Sequence, residues 1–383
     1  MTNLRSRIAI SGLFFLHGLC FSSWGARIPA IQDIHSLSET ALGSVLLALP
    51  VGLILSMPIA AGLVKKFGSR RILIFAIIFY GAILMTLGLA GSVFQLMGLL
   101  IVFGLASNMV NVSLNTQAVD IEVIYKKPIM ASLHGLWSSA GFMGASIGAF
   151  MIGSEIEPFR HFILIFFMVL VLSLVCSSSL LPDIKKPPSA SSKMFQFPDR
   201  SLLGLGLLAF LSMICEGAMF DWSGIYFKKV VQAEGAWVGS GCVAFMTTMA
   251  GTRFFADGFK QRFGLVMILR VSGVLIFVGL MISVIFPTIL SSLFGFFMVG
   301  AGVSAVVPMV FSEAGRSTTM APSSAIAAVS TIGFLGFLIG PPMIGWIAGA
   351  STLRISFTVI AVLGLSITVI SSRIFKNGSE FEG

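Results

Sequence analysis

Apolar positions in this chain come in long unbroken runs separated by short polar clusters. Twelve runs lie near residues 8–29, 40–64, 71–91, 94–118, 129–153, 160–181, 202–226, 236–257, 265–285, 288–311, 323–348 and 353–374. A helix needs about 20 such residues to cross a hydrocarbon core roughly 30 Å thick, and each run supplies them. The runs do not alternate with a period of two, so they predict helices rather than the strands of a barrel. The expected fold class is all-α integral membrane, with twelve transmembrane helices arranged as two pseudo-symmetric six-helix bundles. The first run follows Arg5 and Arg7 and resembles a secretory signal; an even number of spans requires that it be retained.

The pseudo-symmetry comes from an internal repeat. Residues 138–153 read SSAGFMGASIGAFMIG and residues 330–345 read STIGFLGFLIGPPMIG, with nine of sixteen positions identical at an offset of 192. Lys66-Phe67-Gly68 matches Arg262-Phe263-Gly264 at an offset of 196, and Trp24 matches Trp222 at 198. Parallel repeats of a hydrophobic bundle are a mark of secondary transporters. The polar connector 182–200, PDIKKPPSASSKMFQFPDR, carries four prolines and three serines and reads as an extended linker. The expected organisation is therefore an N-terminal six-helix bundle over 1–182, a cytoplasmic linker over 183–200 and a C-terminal six-helix bundle over 201–383.

Composition agrees with this pattern. Of 383 residues, 56% are hydrophobic and 10% charged, with a mean hydropathy of +1.01; a soluble domain carries about 25% charged residues. Lysine and arginine set the orientation. If the N-terminus is cytoplasmic, 17 of the 24 lie on that side and 5 on the other, with Arg253 and Arg270 inside spans. Both termini are then cytoplasmic, in a bacterial cytoplasmic (inner) membrane. The net charge of +9 follows from the loops, which points to anionic membrane lipid as a partner and not to nucleic acid. Cys20, Cys176, Cys215 and Cys242 all fall within predicted spans without metal-ligand spacing, so neither a metal nor a disulfide is expected.

A chain of six plus six helices with a basic glycine-containing loop after spans 2 and 8 resembles the major facilitator superfamily. The superfamily's loop pattern is roughly G-x-L-x-D-R-x-G-R-K. Here Leu63, Lys66, Gly68 and Arg70 match it, while Lys65 stands where the acid belongs. Four segments resemble the MosC/YbjJ-like branch more closely: SWGARIPAI at 23–31, EGAMFDWSGIYF at 216–227, VVPMVFSEAGR at 306–316 and GFLGFLIGPPMIG at 333–345. The resemblance implies alternating access through a cavity lined by spans 1, 4, 7 and 10. It also implies a monomer, and an inositol-like solute is associated with one member of the branch.

Charges inside spans cost about 2.5–3.5 kcal/mol on insertion scales and usually have a role. Glu216, midway through span 7, shares a helical face with Ala209, Ser212 and Ser223. It is a candidate proton-coupling carboxylate and solute ligand; the alternative is a structural hydrogen bond. His17, midway through span 1, is a candidate proton relay and solute ligand, and Trp24, two turns later, a stacking surface. Span 4 carries Asn108, Asn111 and Asn115 on one face. Asn108 and Asn111 are candidate solute ligands, the alternative for all three being bonds between helices.

Asp221 is five residues from Glu216, about 140° round the helix. An Arg27–Asp221 bridge is a candidate external gate, and Arg253 with Asp257, at i and i+4, is a second candidate gate pair. Trp222 and Tyr226 suit the membrane interface. The two glycine-rich copies predict close helix contacts, between the halves or against spans 2 and 8. Pro50 and Pro58 in span 2 and Pro341-Pro342 in span 11 predict bends or breaks.

No Walker A, H-E-x-x-H or G-x-S-x-G signature is present, so neither an ATP-driven pump nor an enzyme is expected, and no cofactor. The reading is a secondary active transporter whose partners are a small-molecule substrate and protons. Uptake of a sugar- or cyclitol-like solute is favoured, the alternative being export of amphipathic drugs or metabolites. From another class, a non-transporting membrane receptor or a lipid flippase would share the fold.

Overall fold

The computed structural model describes residues 2–125, 129–182, 200–317, 320 and 322–376. Among them are thirteen helices: α1 (Thr2–Ile34), α2 (Glu39–Leu46), α3 (Ala48–Phe67), α4 (Ser69–Leu87), α5 (Val93–Tyr125), α6 (Met130–Gly153), α7 (Pro158–Ser177), α8 (Arg200–Lys229), α9 (Trp237–Phe263), α10 (Leu265–Ile285), α11 (Ile289–Ala314), α12 (Pro322–Ala350) and α13 (Leu353–Lys376). Of these, α2 and α3 together form one candidate span, and eleven spans in all are long and apolar enough to cross a membrane. Predicted span 8 is α9, which is 27 residues long but carries Arg253, Asp257, Lys260 and Arg262 in its second half; those charges and its glycines and threonines keep it out of the eleven. Of the linker read from the sequence at 183–200, residues 183–199 lie outside the described residues and Arg200 already opens α8.

The break between α2 and α3 has a simple cause. Pro50 has no N–H for the carbonyl of Leu46, and its ring presses on that carbonyl; the helix resumes at Ala48. By contrast, α12 runs through Pro341 and Pro342 as one element.

The chain divides into two compact units, one of Met1–Leu37 with Ser44–Ser189, the other of Ser38–Gly43 with Ala190–Gly383. Each unit has the same internal contact pattern. In the first, α1 packs on α6, α3 on α5, and α4 on both α5 and α7. In the second, α8 packs on α12, α9 on α11, and α10 on both α11 and α13.

The repeat can be followed atom by atom. A Cβ on Gly104 would stand 2.1 Å from the carbonyl oxygen of Leu49, and one on Gly300 would stand 2.2 Å from that of Phe245. Both pairs are related by an offset of 196 residues. Gly52 approaches the Ile101 carbonyl, and at the same offset Thr248 Oγ1 donates to the Phe297 carbonyl at 2.7 Å. Gly68 (φ 90°) and Gly264 (φ 75°), again 196 apart, close α3 and α9 in a conformation that suits only glycine. Their N–H groups donate to Val64 and Lys260.

The glycine-rich helices pack inside their own units, each against that unit's first long helix. In the first unit Gly18 meets the Trp137 backbone, Gly144 meets Leu19 and Ser22, and Gly148 meets Ala26. In the second, Gly333 and Gly336 of α12 meet Ala209, Phe210 and Met213 of α8. Of the contacts expected against spans 2 and 8, one is present, since Gly345 of the second copy meets Glu39 and Gly43 of α2; the glycines named above go to α1 and α8 instead. This also changes the reading of the Glu216 face, because Ala209 is packed beneath Gly333 and does not line open space. Trp222 and Tyr226 are fully buried, not at an interface belt. They lie on α8, which is flanked by α9, α11, α12 and α13, and the Tyr226 hydroxyl donates to the Ser283 carbonyl at 3.0 Å. Trp237 and Trp346, each 54% exposed, have the exposure such a belt requires.

Candidate functional site

Each unit holds a buried polar cluster. In the first unit, α1 presents Phe14, His17 and Phe21 on one face at i, i+3 and i+7. Phe14 meets the His134 ring edge-on at 5.5 Å, and Phe21 lies 5.9 Å from Trp137. His17 sits between Tyr80 at 5.5 Å and Trp137 at 6.4 Å, and a 3.0 Å hydrogen bond joins its Nε2 to Ser107 Oγ. An imidazole held in this way is oriented, with one ring nitrogen engaged by a hydroxyl that can donate or accept.

Next to Ser107 in the chain, about 100° round α5, Asn108 is buried and its Nδ2 has no partner among the described residues. An orphaned buried amide donor is costly and is available to a solute's acceptor. The three-asparagine row divides here: Asn115 Nδ2 donates to Asn111 Oδ1 at 2.9 Å and to the Asn111 carbonyl at 2.8 Å. That pair satisfies itself along the helix. Trp24 is buried with its indole N–H unpartnered among the described residues. Arg27 donates through Nη2 to the carbonyl of Ile156, just past the end of α6.

In the second unit, Glu216 on α8 and Arg253 on α9 form an ion pair, Oε1 to Nη2, at 3.6 Å. Their side chains are 8% and 19% exposed. Arg253 Nε also donates to the carbonyl of Ser304 on α11 at 3.3 Å, so the guanidinium ties three helices together. Ser212 and Ser223, on the Glu216 face, are buried with unpartnered hydroxyls among the described residues. Asp221 is partly buried beside Cys242. Asp257 lies in α9 with its side chain outside the described residues.

The sequence singled out Glu216 and Arg253 separately and assigned Arg253 to Asp257 by spacing. The signal for the observed pair was available: two intramembrane charges of opposite sign on neighbouring spans of one half. Ser107, Tyr80 and Trp137 around His17 carried no such signal, since isolated serines and aromatics are ordinary in apolar helices. No group of three or more His, Cys, Asp or Glu among the described residues is placed to hold a metal ion.

Eleven long apolar helices among the described residues, packed in the same pattern in each of two units, define an integral membrane protein with a duplicated helical fold. Residues 10–323 match the Major Facilitator Superfamily, and the chain belongs to that family. It is 30% identical over 363 residues to the membrane protein MosC of Rhizobium meliloti, covering 95% of this chain and 88% of MosC. It is 29% identical over 358 residues to an uncharacterized MFS-type transporter of Yersinia pestis, covering 92% of each. Its fold is similar to the crystal structure of a bacterial homolog of the human lysosomal transporter Spinster in an inward-facing, occupied conformation. That similarity has a TM-score of 0.75 at 15% identity and covers 97% of each chain.

Proposed function

We propose that this protein is a proton-coupled secondary transporter that moves a small polar organic solute, sugar- or cyclitol-like, by alternating access. In this reading it acts as a monomer in the bacterial cytoplasmic membrane with both termini in the cytoplasm. The observation that carries the proposal is the Glu216–Arg253 pair at 3.6 Å. A buried carboxylate with one cationic partner on a neighbouring helix can take up a proton when that partner withdraws, and release it when the partner returns. Neutralising such a pair in step with helix movement is an economical way to link proton binding to conformation.

Solute recognition is assigned to His17, Asn108 and Trp24. The imidazole–hydroxyl pair and the free amide offer the donors and acceptors a polyol needs, and the indole offers a flat apolar face with an N–H at its edge. Asn111 is a weaker candidate because Asn115 already occupies its carbonyl and side-chain oxygen.

The test is counterflow in proteoliposomes with a panel of radiolabelled sugars, cyclitols, amino acids and cationic drugs. Accumulation of one polyol class, lost in Asn108→Leu, supports the reading. Accumulation of cationic drugs alone would move the protein to the export class, and no counterflow of any solute in protein shown to be folded would favour a receptor or flippase.

A further inference from the structure

Arg270 lies inside the span Leu265–Ile285, and its side chain is exposed on the surface of the second unit. It stands five residues beyond Leu265, about 7.5 Å into the helix at 1.5 Å per residue. A charge within a span is costly and normally turns inward or finds a partner. The fold does not dictate this one. Gly68 and Gly264 precede α4 and α10 alike, and at that 196-residue offset the position of Arg270 is held by Ile74.

The guanidinium is fixed at the seam between α10 and α13. Its Nε donates to Ser372 Oγ at 2.7 Å, and that hydroxyl donates in turn to the Thr368 carbonyl at 2.7 Å. Thr368 Oγ1 donates to the Arg270 carbonyl at 2.7 Å, where Gly273 lets α10 approach Thr368 and the Gly364 carbonyl. Nη1 and Nη2, with four N–H groups, have no acceptor among the described residues. Beside the arginine, α10 carries a hollow of about 270 Å³ lined by Met267, Arg270, Val271, Val274 and Leu275. Its walls are apolar, and Met267, Val271 and Val274 are exposed. Side chains on a helix lean toward its N-terminus, so the arginine stem carries its charge back toward the membrane surface. Val271, Val274 and Leu275 continue about 1.5–7.5 Å deeper.

We infer that this seam binds one anionic phospholipid of the surrounding bilayer, with its phosphate on Arg270 and an acyl chain in the hollow. A guanidinium can engage two phosphate oxygens at once. The order along α10, cation outermost and apolar hollow beneath, is that of a phospholipid's headgroup and chain. Charge complementarity selects an anionic headgroup over a zwitterionic one. Residues 258–312 and α13 contain no Asp or Glu, whereas Arg373, next to Ser372, and Arg262, just before Gly264, are exposed. A headgroup ammonium would meet like charge there. The inference rests on α10 crossing the membrane, and neither on proton coupling nor on the identity of the transported solute.

The test is native mass spectrometry of purified full-length protein, delipidated in detergent and titrated with phosphatidylglycerol or phosphatidylcholine of the same chains. The site predicts one saturable phosphatidylglycerol in the wild type, bound at least fivefold more tightly than phosphatidylcholine. Arg270→Leu should abolish that preference. Val274→Trp, which fills the hollow and leaves the charge unchanged, should weaken phosphatidylglycerol binding at least fivefold. Arg354→Leu, exposed at the opposite end of α13, should bind as the wild type does, and equimolar glycerol 3-phosphate should displace no lipid. If Arg270→Leu does not fold, Val274→Trp and the contrast between the two lipids decide the matter. Overturning results are equal affinity for both lipids, unchanged binding in either variant, an equal loss in Arg354→Leu, or displacement by glycerol 3-phosphate, which would reduce the site to a bare anion contact.

Discussion

Glu216 of α8 and Arg253 of α9 face each other at 3.6 Å across two helices of the second unit, and Arg253 reaches on to the Ser304 carbonyl of α11. Spacing along α9 had offered Asp257 as the partner of Arg253. The pair on separate helices has a different consequence, since its formation depends on how those helices sit.

Removing one member of a buried pair leaves the other charge uncompensated. Arg253→Ala is expected to lower stability by about 3–5 kcal/mol, and Glu216→Gln by less, because the amide oxygen still accepts from the guanidinium. The double variant Glu216→Gln/Arg253→Gln should recover at least about 1 kcal/mol relative to additivity. Denaturant unfolding of wild type, the two single glutamine variants and the double in one detergent checks this; strictly additive losses would mean that the two side chains are independent.

The ion pair between Lys229 and Glu39 behaves oppositely. It is shorter, at 2.6 Å, but its side chains are 37% and 27% exposed. Glu39→Gln should therefore change stability by no more than about 1 kcal/mol, measured in the same unfolding assay. A loss as large as that of Arg253→Ala would contradict the solvent-screened reading.

Glycines divide by what surrounds them. Alanine at Gly104 or Gly300 would meet a carbonyl oxygen at 2.1 or 2.2 Å, and should cost about 1–3 kcal/mol through overpacking. At Gly98 on α5 and Gly251 on α9 an added methyl would meet nothing within 4 Å. Alanine there should be neutral or stabilise by up to about 1 kcal/mol through helix propensity. Thermal unfolding of the four single variants tests the contrast, and equal effects at all four would remove the packing argument.

Asn108 is predicted to act on solute and not on folding. Because its Nδ2 is unpartnered among the described residues, Asn108→Ala should leave the unfolding temperature unchanged or slightly raised. One lost hydrogen bond to a neutral solute should raise KM about 3- to 10-fold. Asn115→Ala, which breaks the bond to Asn111, should leave KM unchanged. Initial uptake rates across solute concentrations separate the two.

Fold was more legible in the sequence than site, for physical reasons. Unbroken apolar runs of this length predict spans, and a row of recurring glycines such as Gly144/Gly336 predicts close helix packing, although Gly62 and Gly258 recur too and meet nothing within 4 Å. The partner of those glycines was not legible, because a small-residue face says that something is close without saying what; α1 and α8 could not be told from spans 2 and 8. Trp222 and Tyr226 were misplaced for a related reason. An aromatic near a span end suits an interface belt, yet α8 is surrounded by four other helices, and only the packing reveals that. At the site, charged residues stood out against apolar sequence, whereas Ser107 beside His17 looked like any other serine.

The central claim is that protonation of Glu216 is coupled to solute movement. The direct measurement is proton flux into proteoliposomes holding an internal pH dye, driven by the solute identified in counterflow, with wild type and Glu216→Gln side by side. The account predicts solute-dependent proton movement in the wild type and its loss in Glu216→Gln, with solute counterflow retained in both. Proton flux that persists in the variant, or solute transport without any proton flux in the wild type, would contradict it and leave Glu216 and Arg253 as a structural tie between α8, α9 and α11.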